Sequence, residues 1–321
     1  MRPSIELHGD ALRANARAFA ALGAPVAAVV KNDGYGWGAL RLARELNDVV
    51  ESYVVADDDE LAALRPGTRL PIRLLSDVPA PRVARVLALG GIPNVSSREA
   101  LAPLAAEAER RGGLTVRVGI HDASGWSAIA PGDAAAFAAA LAGTKLAVEL
   151  WTHVSSADRA GAQLAAFAAA RDAFARAGVL VVGTDVASTG SACAANAHDR
   201  LRIGVGLFGA RLGAPVVTHC ALRVRAPLVR RHAPGTVAFA GYGDRRISDA
   251  SEVVVLRCGY GDGYPKGMAG AGAILAVGMQ YTTRLWDAGT DPCVLIGEAD
   301  ALDDLAAQAG ISAHELVVGL A

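Results

Sequence analysis

Between residues 26 and 209, short apolar runs rich in β-branched residues alternate with longer stretches in which Ala, Leu and Arg recur at helical spacing. Eight such runs can be counted, at 26–31, 53–56, 71–75, 93–96, 115–120, 146–152, 179–183 and 201–207. Helical patterns lie between them at 38–47, 97–110, 131–141 and 158–177, with a shorter connection around Asn196. Eight consecutive strand–helix units close naturally into a parallel barrel, so the expected fold is α/β, a (β/α)8 TIM barrel. Beyond Gly209 the helical pattern stops. Runs rich in Val, Thr and Arg, such as 218–229 and 252–258, follow each other between Gly and Pro, which predicts a smaller C-terminal β-domain. The expected domains are 1–215 and 216–321. Residues 1–10, with a strand candidate at 4–7, are open to assignment to the second domain, since the first barrel strand comes later.

A length of 321 residues suits this division, because a barrel of roughly 250 residues leaves room for an appended domain. Apolar types make up 52% of the chain and aromatic types only 5%, so the hydrophobicity comes from small aliphatic residues that favour close helix packing. With 31 basic and 32 acidic residues, the net charge of −1 leaves no electrostatic footprint for nucleic acid or an anionic membrane. A small-molecule substrate is therefore expected. The opening MRPSIELH lacks the apolar core of a signal peptide, and no run of about 18 apolar residues is present to span a bilayer. A cytoplasmic location is the expectation. Cys193, Cys220, Cys258 and Cys293 are scattered without a CxxC pair, so reduced thiols are expected rather than a metal site or a disulfide framework.

Catalytic groups of such barrels sit at the C-terminal ends of strands. Lys31 is placed there, closing the run 26–31 ahead of the glycine-rich NDGYGWG. A lysine at the mouth of an apolar strand is partly desolvated, which lowers its pKa and readies the amine to form an imine. Taken alone, the position also fits a lysine that snorkels at a strand end.

The flanking residues decide between these readings. VVKNDGYGWG resembles the motif VVKANAYGHG around the pyridoxal-5′-phosphate (PLP) lysine of the alanine racemase family. The resemblance runs along nearly the whole chain: THVSSAD at 152–158 is similar to the family's THFAxAD, RIGVGLFG at 202–209 to RxGIxxYG, GYG at 241–243 to the catalytic-tyrosine turn, and CGYGDGY at 258–264 to GYADGY. The resemblance implies PLP as cofactor, held by Lys31 as a Schiff base, and a racemase with two opposed bases, Lys31 and Tyr242. His153 is implied as the residue that orients Tyr242, and Arg202 as the partner of the pyridine nitrogen. Arginine keeps its proton at ordinary pH, so that nitrogen stays unprotonated and transamination is discouraged. Tyr35, Gly204 and Val205 are implied at the phosphate, with a serine after the seventh strand. Ser191 is favoured there and Ser188 is the alternative, although either could simply cap a turn. Tyr260, Met279 and Gln280 are implied at the substrate. A head-to-tail homodimer is implied as well, with Tyr242, Tyr260 and Met279 acting in the partner's barrel mouth.

The chain departs from the family pattern in several places. Where the family reads DTGMxRxG, this chain reads GIHDASGWS at 119–127, without the arginine that binds the substrate carboxylate. His121, Ser124 or another arginine could serve instead, or His121 and Asp122 could be ordinary loop residues. The family's CMD segment appears as Gly278-Met279-Gln280, a carboxylate becomes an amide, and Arg117 replaces a lysine that is carbamylated in some relatives. The chain ends at Ala321, before the family's terminal RVPRxY segment. These changes point to a specialised relative that racemises an α-amino acid. Two alternatives stay open: a PLP-dependent aldolase, dehydratase or decarboxylase on the same fold, and a PLP-binding protein without catalysis. The run GYGDG at 259–263 is no nucleotide loop, since no strand–helix unit follows it.

Overall fold

In the computed structural model, eight parallel strands follow a short opening strand, β1 (Ser4–Leu7), and close on themselves. They are β2 (Val26–Val29), β3 (Ser52–Val55), β4 (Ile72–Asp77), β5 (Gly91–Asn94), β6 (Leu114–Gly119), β7 (Leu146–Trp151), β8 (Val181–Ala187) and β9 (Arg200–Ile203). β9 pairs back onto β2, with Ala27 opposite Arg202, so the expected (β/α)8 barrel is formed. The structure describes residues 2–121, 127–154, 157–191, 199–241, 245–248, 251–287 and 289–321, with the backbone alone at 157–159 and 187. The expected connection around Asn196 lies outside them.

The eight runs read as continuous apolar segments because parallel barrel strands are covered on both faces, and every residue of β2 and β3 is buried. Helices at Ala39–Leu46, Asp58–Leu64, Val83–Ala88, Arg98–Arg111, Ala134–Leu141 and Ala157–Arg176 lie between them in the chain. The Arg98–Arg111 helix shows why these segments coil where they do. The Ser97 hydroxyl accepts the Ala100 N–H at its start, Arg110 and Arg111 sit in the last turn, and Gly112 leaves in the left-handed region at φ 77°.

Two barrel-strand ends depart from expectation by four residues, and the others lie within two residues of it. β8 continues to Ala187 rather than stopping at 183, because the polar Thr184 and Asp185 are both buried and satisfied, Asp185 by Arg117 and Arg202 inside the barrel and Thr184 by the Asp199 carboxylate on the other face. β9 stops at Ile203 rather than 207, and the chain turns into a short 3-10 segment, Val205–Phe208.

Contacts divide the chain into two compact units, one of residues 16–206 and 211–217, the other of 1–15, 207–210 and 218–321. In the second unit β1 pairs antiparallel with β10 (Leu222–Arg225), Ile5 opposite Val224. Next come β11 (Leu228–His232), β12 (Phe239–Ala240), β13 (Arg245–Arg246), β14 (Glu252–Leu256), β15 (Ile274–Val277), β16 (Thr282–Trp286) and β17 (Val294–Ile296). They form a three-stranded sheet, β1-β10-β17, a four-stranded sheet, β11-β14-β16-β15, and the β12-β13 pair. The unit ends in two helices that strand-rich patterning did not predict, Leu302–Ala309 and Ala313–Gly319. Among the described residues no helix is long and apolar enough to cross a membrane.

Candidate active site at the barrel mouth

β2 delivers Lys31 to the C-terminal edge of the barrel, and the backbone then reverses its hand. Asn32, Asp33, Gly34 and Tyr35 all have positive φ, between 48° and 65°. A left-handed turn costs about 1–2 kcal/mol for each residue that carries a Cβ, less for Asn and Asp, whose side chains bond locally. Local bonds oppose that cost: the Gly34 N–H donates to the Val30 carbonyl, the Gly38 N–H to the Asp33 carbonyl, and the Ala39 N–H to the Asp33 carboxylate at 2.8 Å. The half-buried Glu60 adds two more, accepting the Asn32 N–H at 2.6 Å and the Ala56 N–H at 2.8 Å.

This turn aims Tyr35 at the loop after the neighbouring strand, β9. A Cβ added at Gly204 would collide with the Tyr35 hydroxyl oxygen, so glycine is what lets the two loops meet. Tyr35 is 5% exposed, and burial raises its phenol well above the ordinary value, which keeps the hydroxyl protonated as a donor. Beside it lie Val205 and Gly206, whose N–H donates to the Thr189 hydroxyl at 3.3 Å. Ser191 and Ser188 are joined, with the Ser188 N–H donating to Ser191 Oγ at 2.9 Å and the two hydroxyls 3.1 Å apart. Thr189 is a candidate that sequence reasoning passed over in favour of its neighbours, although it stands in the same hydroxyl-rich STGS run.

Arg202 is buried and held by Nη1 on the Asp185 carboxylate and by Nη2 on the Thr152 carbonyl at 2.7 Å, with His153 Nδ1 at 3.4 Å. Asp185 also binds Arg117 Nη2 at 2.6 Å, so one carboxylate joins two buried guanidiniums. Both lie over the Trp151 ring, Arg117 at 5.2 Å and Arg202 at 5.1 Å from its centroid. Burial lowers the Arg117 guanidinium to about 10, against the pull of Asp185, and leaves it cationic at neutral pH. Below them Arg73 pairs with Glu149 at 2.6 Å and Glu51 at 3.2 Å, and Arg200 meets Glu149 at 3.0 Å. Contacts between strands that are not neighbours, such as Arg73 of β4 with Glu149 of β7, must cross the barrel interior. The result is a ladder of four arginines and three carboxylates, one positive charge in surplus, whose upper end is Arg202.

His121 is buried and its Nε2 lies 3.0 Å from the His153 carbonyl, so the ring is engaged with the backbone that carries His153. Ser124 and Asp122 lie outside the described residues, and so does Tyr242. In the second unit, the 259–261 turn and the 278–280 segment are brought together. Tyr260 N–H donates to the Gly278 carbonyl at 3.0 Å, Gly261 N–H to the Met279 carbonyl at 2.9 Å, and Arg257 joins the Gln280 carbonyl to Asp262. Tyr260 and Met279 are exposed. Cys220 and Cys258 are free and buried, and burial pushes their thiols up to about 11 and 12, which leaves no reactive thiolate at neutral pH.

Residues 7–212 match the family model described as alanine racemase, N-terminal domain. The chain is 31% identical over 365 aligned residues to the alanine racemase of Xanthomonas axonopodis pv. citri, covering all of this chain and 95% of that protein. It is 30% identical over 298 residues to the alanine racemase of Desulfovibrio desulfuricans, covering 86% of this chain and 80% of the other. Among solved structures, the fold is similar to that of alanine racemase from Acinetobacter baumannii (TM-score 0.82, 19% identity, 100% of this chain and 97% of that one). It is also similar to the alanine racemase of Bartonella henselae, solved with covalently bound pyridoxal phosphate (TM-score 0.78, 19% identity, 100% and 97% covered).

Proposed function

The chain belongs to the alanine racemase family, and from that premise we propose that it is a PLP-dependent amino-acid racemase, a specialised relative of the alanine racemases, with Lys31 as the cofactor-bearing residue. One observation carries the reading: the turn after Lys31 and the loop after β9 are built as one piece, joined where Tyr35 meets Gly204. The donor set suits PLP. The N–H groups of Gly204 and Val205 and the hydroxyls of Tyr35, Thr189 and Ser191 are neutral donors, the kind that bind a phosphate dianion without excess charge. Arg202 would face the pyridine nitrogen as a permanent cation, fixed by Asp185.

When bound, the cofactor withdraws electrons from the substrate Cα and makes its proton labile. Lys31 Nζ takes or returns that proton on one face and the Tyr242 oxygen on the other. Tyrosine is a weak base at its ordinary pKa near 10, so its neighbours must stabilise the phenolate, and His153 is assigned to orient it. The proposal includes a cytoplasmic head-to-tail homodimer in which Tyr242, Tyr260 and Met279 serve the partner's barrel, and Gln280 lies at the substrate. It keeps the functional division at 1–215 and 216–321, with residues 1–10 grouped with the latter. A PLP-dependent reaction that needs one proton-transfer face, such as an aldol cleavage or a decarboxylation, is the second reading, favoured by the lack of arginine in 119–127.

Incubation with L-amino acids in deuterated water separates the two. Racemisation gives D-isomer carrying deuterium at Cα, whereas exchange without inversion, or carbon–carbon cleavage, transfers the protein to the second reading. The phosphate assignment has its own test. Gly204→Ala displaces the Tyr35 hydroxyl, and losing one such hydrogen bond, worth about 1.5–3 kcal/mol to a charged group, should weaken PLP binding about tenfold to a hundredfold. An unchanged PLP dissociation constant in a titration would remove Tyr35 and Gly204 from the site.

A further inference from the structure

We propose that Glu60 is a positioning residue for Lys31, a carboxylate clamp that holds the left-handed turn and thereby the direction of the lysine. The inference rests on the reading of Lys31 as the cofactor-bearing residue and adds to it a group from a different strand–helix unit.

Glu60 stands at the third position of the Asp58–Leu64 helix, which Asp57 caps by accepting the N–H groups of Asp59 and Glu60, each at 3.0 Å. In a common helix start, a glutamate at this position turns back to the N–H of its own cap residue. Here it does something else. One oxygen takes the N–H of Ala56, just after β3, and the other reaches the N–H of Asn32, just after β2. The carboxylate therefore ties together the C-terminal ends of two neighbouring barrel strands, and one of its bonds falls on the peptide between Lys31 and Asn32.

That peptide is where the chain changes hand. Lys31 itself is not among the positive-φ residues, whereas each of the next four is. The bonds inside the turn shape its later part, from Gly34 onward, and the Asn32 N–H goes to Glu60. Without this acceptor the Asn32 N–H loses its partner, and the turn keeps its strain with less to oppose it. The Lys31 side chain leaves the backbone one bond away from this point, so freedom in the Lys31–Asn32 peptide becomes freedom in where Nζ points. Both oxygens are used, one per N–H, which makes the demand on residue 60 specific. Glutamine offers one oxygen and one N–H-bearing nitrogen and can satisfy only one of the two donors.

The test compares wild type, Glu60→Gln and Glu60→Ala in the full-length protein. Thermal unfolding is recorded for each, then hydrogen exchange of the peptide covering 31–38 without added PLP. The third readout is the rate at which PLP becomes fixed to Lys31, followed by borohydride trapping and peptide mapping. Expected are melting temperatures close to wild type, exchange at 31–38 at least tenfold faster in Glu60→Ala, and at least tenfold slower attachment at Lys31. Glu60→Gln should fall between wild type and Glu60→Ala in both of the last two readouts. Unchanged exchange and attachment in Glu60→Ala would overturn the proposal. So would attachment that falls only as far as the melting temperature does across the series, which marks a merely structural residue. Should Glu60→Ala fail to fold, Glu60→Gln decides alone: faster exchange with slower attachment supports the clamp, and wild-type values in both refute it. If exchange rises as expected but the wild type attaches no PLP at Lys31, the clamp on the turn stands and the cofactor reading falls.

Discussion

Lys31→Ala gives a folded protein that lacks the visible absorption band of lysine-bound PLP and turns over amino acids at least about 10³-fold more slowly. The magnitude follows from the two duties assigned to one amine. A positioned acid–base group contributes about 10²–10⁴-fold by itself, and the covalent anchor that places the cofactor is lost along with it. The fold should survive because Lys31 is only half-buried and the structure around it is carried by backbone bonds of residues 30–39. An absorbance spectrum with saturating PLP checks the first part, and chiral chromatography of the amino-acid product checks the second. A wild-type band in the Lys31→Ala protein would end the assignment of Lys31.

Asp185→Asn is expected to do its damage to stability. Asp185 is 2% exposed and is the shared counter-ion of Arg117 and Arg202, both of them buried. Removing one partner of a buried ion pair typically costs about 3–5 kcal/mol, because the charge left behind has no water to solvate it. Here two cations are left behind, so the upper part of that range applies. At about 2–4 °C per kcal/mol for a domain of 150–250 residues, the barrel transition should fall by roughly 8–20 °C. Calorimetry on the protein without PLP reads this directly. A shift of 1 °C or less would mean that the ladder is not carrying the barrel as its geometry indicates. With PLP added, the same variant should hold the cofactor less tightly, since Arg202 loses the bond that fixes it.

The parts of this molecule that could be read from its sequence are those governed by local pattern. All eight barrel strands stand where continuous apolar runs placed them, because burial on both faces leaves a signal within each run. Lys31 was legible for the same reason: its position at the end of such a run is local. The Ala313–Gly319 helix was overlooked although its start carries a local sign, Ser312 with Glu315 three residues on, whose side chains cap each other. The ladder is of a different kind. Asp185 sits 68 residues from Arg117, and its inclusion in β8 depends on that partner. Read alone, Thr184-Asp185 merely interrupts the apolar run, and the run at 179–183 stops short of it. Glu60 has the same difficulty, since it lies 28 residues from the N–H it binds. Thr189 was obscured by the two serines that flank it at 188 and 191, and only the closeness of its hydroxyl to Gly206 separates the three.

The ladder also changes how this barrel answers to heat. Barrels of this class usually fill their interior with layers of branched aliphatic side chains, whose contribution weakens on cooling. Here part of that interior is guanidinium and carboxylate. The penalty for removing charges from water falls as temperature rises, so the ladder contributes relatively more in a warm protein than in a cold one. Less apolar surface is exposed when such an interior opens, and more polar surface, which reduces the heat-capacity step of unfolding. The stability curve of the barrel is thereby flattened, and its margin reaches further up the temperature scale than a hydrocarbon interior of the same volume would allow.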